Sequence, residues 1–223
     1  MLSSTEKVTI LIPVFNRETL IIQTLRCILQ QTYPHIDILI YNDGSTDRTE
    51  KVIRTNGFHH IPIIQGQENK GVAVARNILL SACKTKYACW WDSDDLCNIY
   101  RIARQMKKIR EGFDIVFTAF ASFRGHNHVN FQEHPIQKKR PIAFASMLFK
   151  VDADILFNPG KKFGGEDTAW STQMKKDKRV AYIDEVLYYV RYHDRRIGRV
   201  KKRLKPEDRA GSYAAADKRI FGR

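Results

Sequence analysis

The sequence predicts an α/β fold built on a doubly wound, mostly parallel sheet. Apolar, strand-like segments alternate with helical segments through the first half of the chain. Strands that are apolar on both faces are typical of parallel sheets covered by helices. Polar clusters follow three of these strands directly, and such sheets bind ligands beyond the carboxyl ends of their strands. We therefore expect a ligand site at that edge of the sheet.

Each element follows from the spacing of its apolar residues. Runs rich in β-branched and aromatic residues predict strands, whereas apolar residues three or four positions apart predict helices. Asp47 and Glu50 resemble a capping box that opens the second helix. The predicted order is strand 8–14, helix 18–31, strand 36–41, helix 47–55, strand 60–65, helix 72–82, strand 87–91, helix 98–108 and strand 113–120. This alternation predicts right-handed crossovers between parallel strands.

The second half is less periodic, and we expect a mixed sheet there. Segment 122–140 is polar and aperiodic, which indicates a long loop or an irregular hairpin. A helix is predicted over 168–175 and strands over 180–183 and 186–192. We divide the chain into one domain over 1–198, with halves 1–97 and 98–198, and a basic tail over 199–223.

Charge and composition restrict the partners that we expect. The net charge is +14, and segment 195–223 holds 11 Lys and Arg against 3 Asp and Glu. A basic tail suits peripheral contact with an anionic surface or simple solvation. No aromatic residues interleave with the charges of 199–205, so no nucleic acid is expected as a partner. Without a signal-like segment or an apolar run of roughly 18 residues, we expect a cytoplasmic protein, peripheral to a membrane at most. The four cysteines are expected to be free, mostly buried thiols.

Three carboxylates, Asp92, Asp94 and Asp95, follow the apolar strand 87–91. Like charges this close raise one another's pKa unless a cation neutralises them. Mg²⁺ and Mn²⁺ prefer such oxygen ligands and commonly sit between carboxylates and substrate phosphates. The alternative is that Asp92 or Asp94 caps the helix that follows. With the polar clusters after strands 8–14 and 36–41, the carboxylates indicate a nucleotide-like or phosphorylated ligand.

Six short motifs, taken in this order, resemble those of the family 2 inverting glycosyltransferases with the GT-A fold. They are Ile12-Pro13-Val14-Phe15-Asn16, Asn42-Asp43-Gly44-Ser45-Thr46-Asp47, Asn69-Lys70-Gly71 with Ala75-Arg76-Asn77, Asp92-Ser93-Asp94-Asp95, Gly165-Glu166-Asp167 and Arg191-Tyr192-His193. The resemblance covers about residues 7–198. The chain departs from the pattern at Arg196-Ile197-Gly198, where relatives often carry Ser-x-Ser, and at Asn42, where a second Asp is common.

On the donor side, the resemblance implies a nucleotide site. Asp43 would accept a hydrogen bond from the base, most simply uracil N3–H, unless it is only a turn residue. Arg76 would pair with the nucleotide or with Asp43, unless it lies on the helix surface. The implied nucleotide-binding residues are Pro13, Phe15, Asn16, Asp43, Asn69, Gly71, Arg76, Asp92, Ser93 and Arg196. The alternative for Pro13 and Phe15 is ordinary core packing.

The resemblance also implies a metal site and a general base. Asp94, with Asp92 and His193, would hold Mn²⁺ or Mg²⁺; Asp95 is the alternative ligand, and His193 is otherwise structural. Asp167 or Glu166 would remove a proton from the acceptor hydroxyl, the alternative being a helix cap. Trp170 would stack on a sugar ring or pack in the core.

The implied reaction is metal-dependent transfer of a sugar from a nucleotide-sugar, expected to be a UDP-sugar, to a hydroxyl group by single displacement with inversion. The acceptor would be a carbohydrate, a lipid-linked molecule or a protein. A nucleotidyltransferase is the first alternative, but Phe15-Asn16-Arg17-Glu18 lacks the glycines that its phosphate loop needs. A non-enzymatic nucleic-acid-binding protein acting through its tail is the second, and it leaves the carboxylates unexplained.

Overall fold

A computed structural model describes residues 6–124, 137–140, 143–152, 154–160 and 165–193. The helices and strands are, in chain order, β1 (Val8–Val14), α1 (Ile21–Leu29), β2 (Ile36–Asn42), α2 (Thr49–Ile53), β3 (Ile63–Gln65), α3 (Val72–Ala82), β4 (Tyr87–Trp90), β5 (Leu96–Cys97), α4 (Arg101–Arg110), β6 (Ile115–Arg124), β7 (Gln137–Arg140), β8 (Leu148–Lys150), α5 (Glu166–Lys175) and β9 (Val180–Tyr192). A π-helical turn follows α2 (Arg54–Phe58), and a 3-10 turn precedes β8 (Phe144–Ser146).

The first four strands form the parallel half of the sheet, as predicted. Strand β1 lies between β2 and β4 and runs parallel to both, and β3 adds to the free side of β2. Val8, Ile10, Leu11 and Ile12 of β1 are fully buried, because helices cover both faces of the sheet. The carboxyl ends of β1, β2 and β4 therefore meet at one edge, where the polar clusters begin.

The other half is mixed, and its strand order was not predicted in detail. In the sheet order β3-β2-β1-β4-β8-β6-β9-β5, strand β8 runs antiparallel to both of its neighbours, β4 and β6. The parallel winding expected through strand 113–120 therefore stops at β4, because a short apolar segment from later in the chain occupies the place beside it. Strand β6 pairs with β9 in parallel and with β7 in antiparallel.

Several predicted boundaries need correction. The strands expected over 180–183 and 186–192 form one strand, β9, because register shifts opposite Thr118–Phe120 absorb the two residues between them. Segment 122–140 begins and ends in paired strands, which confirms the irregular hairpin; residues 125–136 lie outside the described residues. The capping box at Asp47 forms only in part: its carboxylate accepts the N–H of Thr49 at the start of α2 and that of Glu18, but its own N–H donates to Asn16 and not to Glu50.

The two large apolar clusters among the described residues lie on the two sides of the sheet. One cluster packs α1 and α4 against one face, and the other packs α3 and α5 against the opposite face. In the second cluster the Trp170 ring stacks on Phe157 with their centroids 4.6 Å apart, and Trp170 Nε1 donates to the Ile155 carbonyl. Trp170 is thus a core residue, and the sugar-stacking alternative is wrong. All four cysteines are free thiols, as expected. Among the described residues, no helix is long and apolar enough to cross a membrane.

Candidate active site

Asp43, the first residue after β2, ties that strand to the start of α3. Its carboxylate accepts N–H bonds from Lys70, Gly71 and the Asn69 side chain, each at 2.9 Å. Burial raises the pKa of Asp43, while the two backbone N–H bonds lower it. Asp43 therefore holds a loop from elsewhere in the chain, and it is more than a turn residue bonded to its own backbone. The Lys70 and Gly71 amides, at the N-terminus of α3, point at this carboxylate.

Gly44 allows this loop to come close to β2. Its φ of +66° is unfavourable for other residues, and a Cβ there would lie 2.6 Å from Glu68 Cα. Nearby, Asn16 Oδ1 accepts the Thr46 N–H at 2.9 Å, so the turns after β1 and β2 are bonded to each other. Pro13 and Phe15 are only partly buried at the same edge. Part of the predicted nucleotide set thus lies together at this edge, and the roles of these residues remain predictions: Pro13, Phe15, Asn16, Asp43, Asn69 and Gly71.

The carboxylate cluster after β4 is held to the end of β9. His193 Nε2 lies 2.7 Å from Asp94 Oδ2, and the Arg191 backbone N–H donates to Asp95 Oδ1 at 2.7 Å. The Arg191 side chain donates from Nε to the Asp94 carbonyl, and burial lowers its pKa. The late Arg-x-His motif and the carboxylates are therefore bonded to each other although up to 99 residues of sequence separate them.

Neighbouring side chains fix the backbone of this loop. Thr24 Oγ1 donates to the carbonyls of Ser93 and Asp95, and the Tyr188 hydroxyl accepts the Asp92 N–H. Helix α4 begins only at Arg101 and has no side-chain cap. The alternative that Asp92 or Asp94 caps this helix is therefore wrong. Within the loop the Asp94 and Asp95 side chains are buried, whereas that of Asp92 is 39% exposed.

Asp94 and His193 form the part of the predicted metal site that the structure brings together. Within the described ranges, no three His, Cys, Asp or Glu side chains converge as a metal centre. A carboxylate and an imidazole in contact still suit Mn²⁺ or Mg²⁺, since such ions take further oxygens from substrate phosphates and water. Asp95 is turned to the Arg191 backbone, which disfavours it as the direct ligand.

Arg17 is a site residue that the sequence reasoning missed. Its Nε donates to Asp94 Oδ2 at 3.1 Å, and both side chains are largely buried. The signal was present, because a cation directly follows Phe15-Asn16 at the end of a strand whose edge collects carboxylates. Arg17 supplies one positive charge to Asp94 from within the chain.

Arg76 on α3 joins the carboxylate cluster to α5. Its guanidinium contacts Asp167 Oδ1 closely and lies 3.8 Å from carboxylate oxygens of Glu166 and Asp92. The prediction that Arg76 pairs with Asp43 is wrong, and so is the alternative of a surface position. The reason is that the Lys70 and Gly71 amides, directly before α3, occupy Asp43, while Arg76, more than a turn later, is buried among rings and faces α5.

Asp167 and Glu166 open α5 but have different environments. Helix α5 starts two residues before the predicted bound, so both carboxylates lie in its first turn. Glu166 is buried, whereas the Asp167 side chain is 37% exposed. Burial raises the pKa of Asp167, the Arg76 cation lowers it, and the neighbouring Glu166 raises it again. Arg196, the remaining predicted site residue, and the basic tail lie outside the described residues.

The model of the family described as "Glycosyl transferase family 2" matches residues 9–170, which include these clusters from β1 to α5. The chain belongs to glycosyltransferase family 2. This family 2 chain is 37% identical over 101 residues to UDP-Glc:alpha-D-GlcNAc-diphosphoundecaprenol beta-1,3-glucosyltransferase WfaP of Escherichia coli, with 45% of this chain and 40% of that protein covered.

Two solved glycosyltransferase structures have the same fold. The S. aureus protein TarS, crystallised with UDP-GlcNAc, superposes with a TM-score of 0.69 at 20% identity over 84% of this chain and 59% of that one. The mannosyltransferase PcManGT from Pyrobaculum calidifontis, in complex with GDP-Man and Mn²⁺, gives 0.65 at 18% identity over 84% and 58%. Both confirm the predicted GT-A architecture. The family 2 chain spans 15% to 42% of the length of curated bacterial relatives at 30% identity or above.

Proposed function

We propose that this chain transfers a sugar from a UDP-sugar to an acceptor hydroxyl group by single displacement, with inversion at the anomeric carbon. One observation carries the proposal: Arg76 lies between Asp92, at the end of donor strand β4, and Asp167 on α5. Asp92 belongs to the carboxylate cluster that would serve the leaving nucleoside diphosphate, and Asp167 would remove the proton from the acceptor hydroxyl. A single side chain, that of Arg76, separates the two carboxylates. Direct displacement needs both on opposite sides of the reacting carbon.

The donor nucleotide would bind at the shared edge of β1, β2 and β4. Pro13 and Phe15 would flank the base, and Asp43, Asn16 and Asn69 supply polar atoms beside it. Asp43 already accepts three N–H bonds, and a carboxylate has about four lone-pair directions, so one remains for a base N–H. Uridine is favoured by the UDP-Glc in the name of the E. coli relative and the UDP-GlcNAc bound to TarS.

Asp94 and His193 would hold Mn²⁺ or Mg²⁺, with Asp92 beside them. Two observations support this metal site: the contact between Asp94, after β4, and His193, after β9, and the Mn²⁺ bound in the PcManGT complex. Such an ion supplies positive charge for the departing nucleoside diphosphate. Arg17 adds a further positive charge at Asp94 and would act on the same side of the sugar.

Asp167 is the general base in this proposal. Its side chain is the more exposed of the two carboxylates on α5, so an acceptor hydroxyl group can reach it. A raised pKa makes an ionised carboxylate a stronger base. Glu166 is buried beside Asp167 and would hold the Arg76–Asp167 pair in place. For the acceptor we propose a lipid-linked saccharide, as in the name of the E. coli relative.

A donor screen tests this function. The purified chain is incubated with UDP-, GDP- and dTDP-sugars in Mn²⁺, in Mg²⁺ or in EDTA, and release of nucleoside diphosphate is measured. We expect metal-dependent release from one UDP-sugar, at a rate that a polyprenyl-diphosphate saccharide increases. The proposal fails if no nucleotide-sugar is consumed and UDP with Mn²⁺ does not raise the melting temperature.

A further inference from the structure

We propose that Arg76 is a positioning residue for Asp167, and not the nucleotide ligand that its motif implies. The inference rests on the proposed function, because it takes Asp167 as the base. Arg76 contacts Asp167 and Glu166 on α5, and through Asp92 it reaches the donor-side loop. Its contacts thus fix the base relative to the carboxylate cluster.

Aromatic rings prevent the Arg76 guanidinium from facing the nucleotide edge. Its central carbon lies 4.6 Å from the Phe144 ring centroid, 5.3 Å from that of Phe157 and 5.7 Å from that of Trp90. Arg76 is 4% exposed, so the charge has little water and needs carboxylate partners. The rings cover its planar faces and leave its two terminal nitrogens, Nη1 and Nη2, for the carboxylates. The direction of the guanidinium is therefore set by packing.

The next residue, Asn77, attaches α3 to the same region. Asn77 Nδ2 donates to the Phe157 carbonyl at 2.9 Å, and its Oδ1 accepts the Phe157 N–H at 2.7 Å. Phe157 in turn stacks on Trp170 of α5. Two adjacent side chains of α3 thus reach α5 by separate routes, one through the Phe157 backbone and one through the carboxylates. The Ala75-Arg76-Asn77 motif works as a clamp on the helix that carries Asp167.

The clamp has a consequence for the chemistry. Burial and the neighbouring Glu166 raise the pKa of Asp167, and the Arg76 cation opposes both. A general base must be ionised, so its action is lost as the pH falls through its pKa. Without Arg76 that pKa rises, and the acid limb of the rate profile moves to higher pH. A displacement of about 1 Å of the base would add a loss of about 100-fold in kcat.

The first test is the titration of the Asp167 carboxyl by ¹³C NMR, with Asp167→Asn assigning the signal. Arg76→Met should raise the pKa of Asp167 by about one unit or more, and Arg76→Lys should restore most of the difference. Leu79→Ala, a fully buried α3 position without charge, is the control for destabilisation and should leave the pKa unchanged. An unchanged pKa of Asp167 in Arg76→Met overturns the proposal.

The second test separates positioning from nucleotide binding. In Arg76→Met we expect kcat to fall about 100-fold at neutral pH and the Kd for UDP with Mn²⁺ to change less than about threefold. A loss of UDP affinity of about tenfold with an unshifted pH profile would make Arg76 a nucleotide ligand and contradict the inference. The titration needs no turnover, so the two proposals can fail separately. If the wild type consumes no nucleotide-sugar but Arg76→Met still raises the pKa of Asp167, the proposed function is contradicted and the Arg76–Asp167 pairing is supported.

Discussion

The two halves of the molecule hold their key carboxylates in different ways. In the half that precedes α4, Asp43 is fixed by backbone amides and one side-chain amide of the Asn69–Gly71 loop, between parallel strands adjacent in the sheet. In the other half, Asp167 is fixed by Arg76, a side chain from the first half. The proposed nucleotide pocket at Asp43 therefore depends on contacts within the parallel sheet and its loops. The acceptor-side carboxylate takes its position from a contact between the halves.

This difference predicts that aromatic packing contributes most to stability in the half that contains α5. Trp170→Ala removes the ring that fixes α5 on Phe157, and we expect a loss of about 3–5 kcal/mol in the free energy of unfolding. Urea denaturation measures it. Trp170→Phe is the matched control: it keeps a ring but loses the Nε1–H bond to Ile155, with an expected cost of about 1 kcal/mol. Equal costs for both variants would show that the stacked ring does not hold α5.

In the half that precedes α4, the close approach of the 68–71 loop to Gly44 is expected to contribute most to stability. Gly44 and Gly57 both have positive φ, but only Gly44 has atoms within 4 Å of the position of a Cβ. Gly57→Ala should cost about 1 kcal/mol from conformation alone. Gly44→Ala should cost about 2–3 kcal/mol and weaken UDP binding, because the 68–71 loop must move. Urea denaturation and calorimetry measure the two effects. If both alanine variants unfold at the same urea concentration, close approach of the loop contributes nothing.

The sequence predicted the donor half well because its signals are local. A β-branched run, a polar cluster and an apolar helix each occupy consecutive residues, so β1, β2 and α3 were found with bounds close to those observed. Asp94 and His193 were also placed in one site, although only their motifs, and no spacing rule, joined them.

The parts that were not predicted depend on contacts distant in sequence. The insertion of β8 beside β4 needs a pairing over about 60 residues, and no local pattern encodes it. Asp43, one of the two partners predicted for Arg76, is wrong for the same reason, since the observed partner Asp167 lies 91 residues away. Trp170 was ambiguous because a ring buried on Phe157 and a ring exposed to a sugar have the same sequence signal.

The most direct test of the proposed site is a paired measurement on Asp167→Asn and Asp94→Ala, with UDP affinity in Mn²⁺ and the transfer rate measured for each. Asp167→Asn should keep the wild-type Kd for UDP and lose transfer by about 100-fold or more, since it removes only the base. Asp94→Ala should weaken UDP binding in Mn²⁺ and leave metal-free binding unchanged. If Asp167→Asn transfers sugar at the wild-type rate, or if Asp94→Ala binds UDP in Mn²⁺ as the wild type does, the proposed division into a donor half and an acceptor half is contradicted.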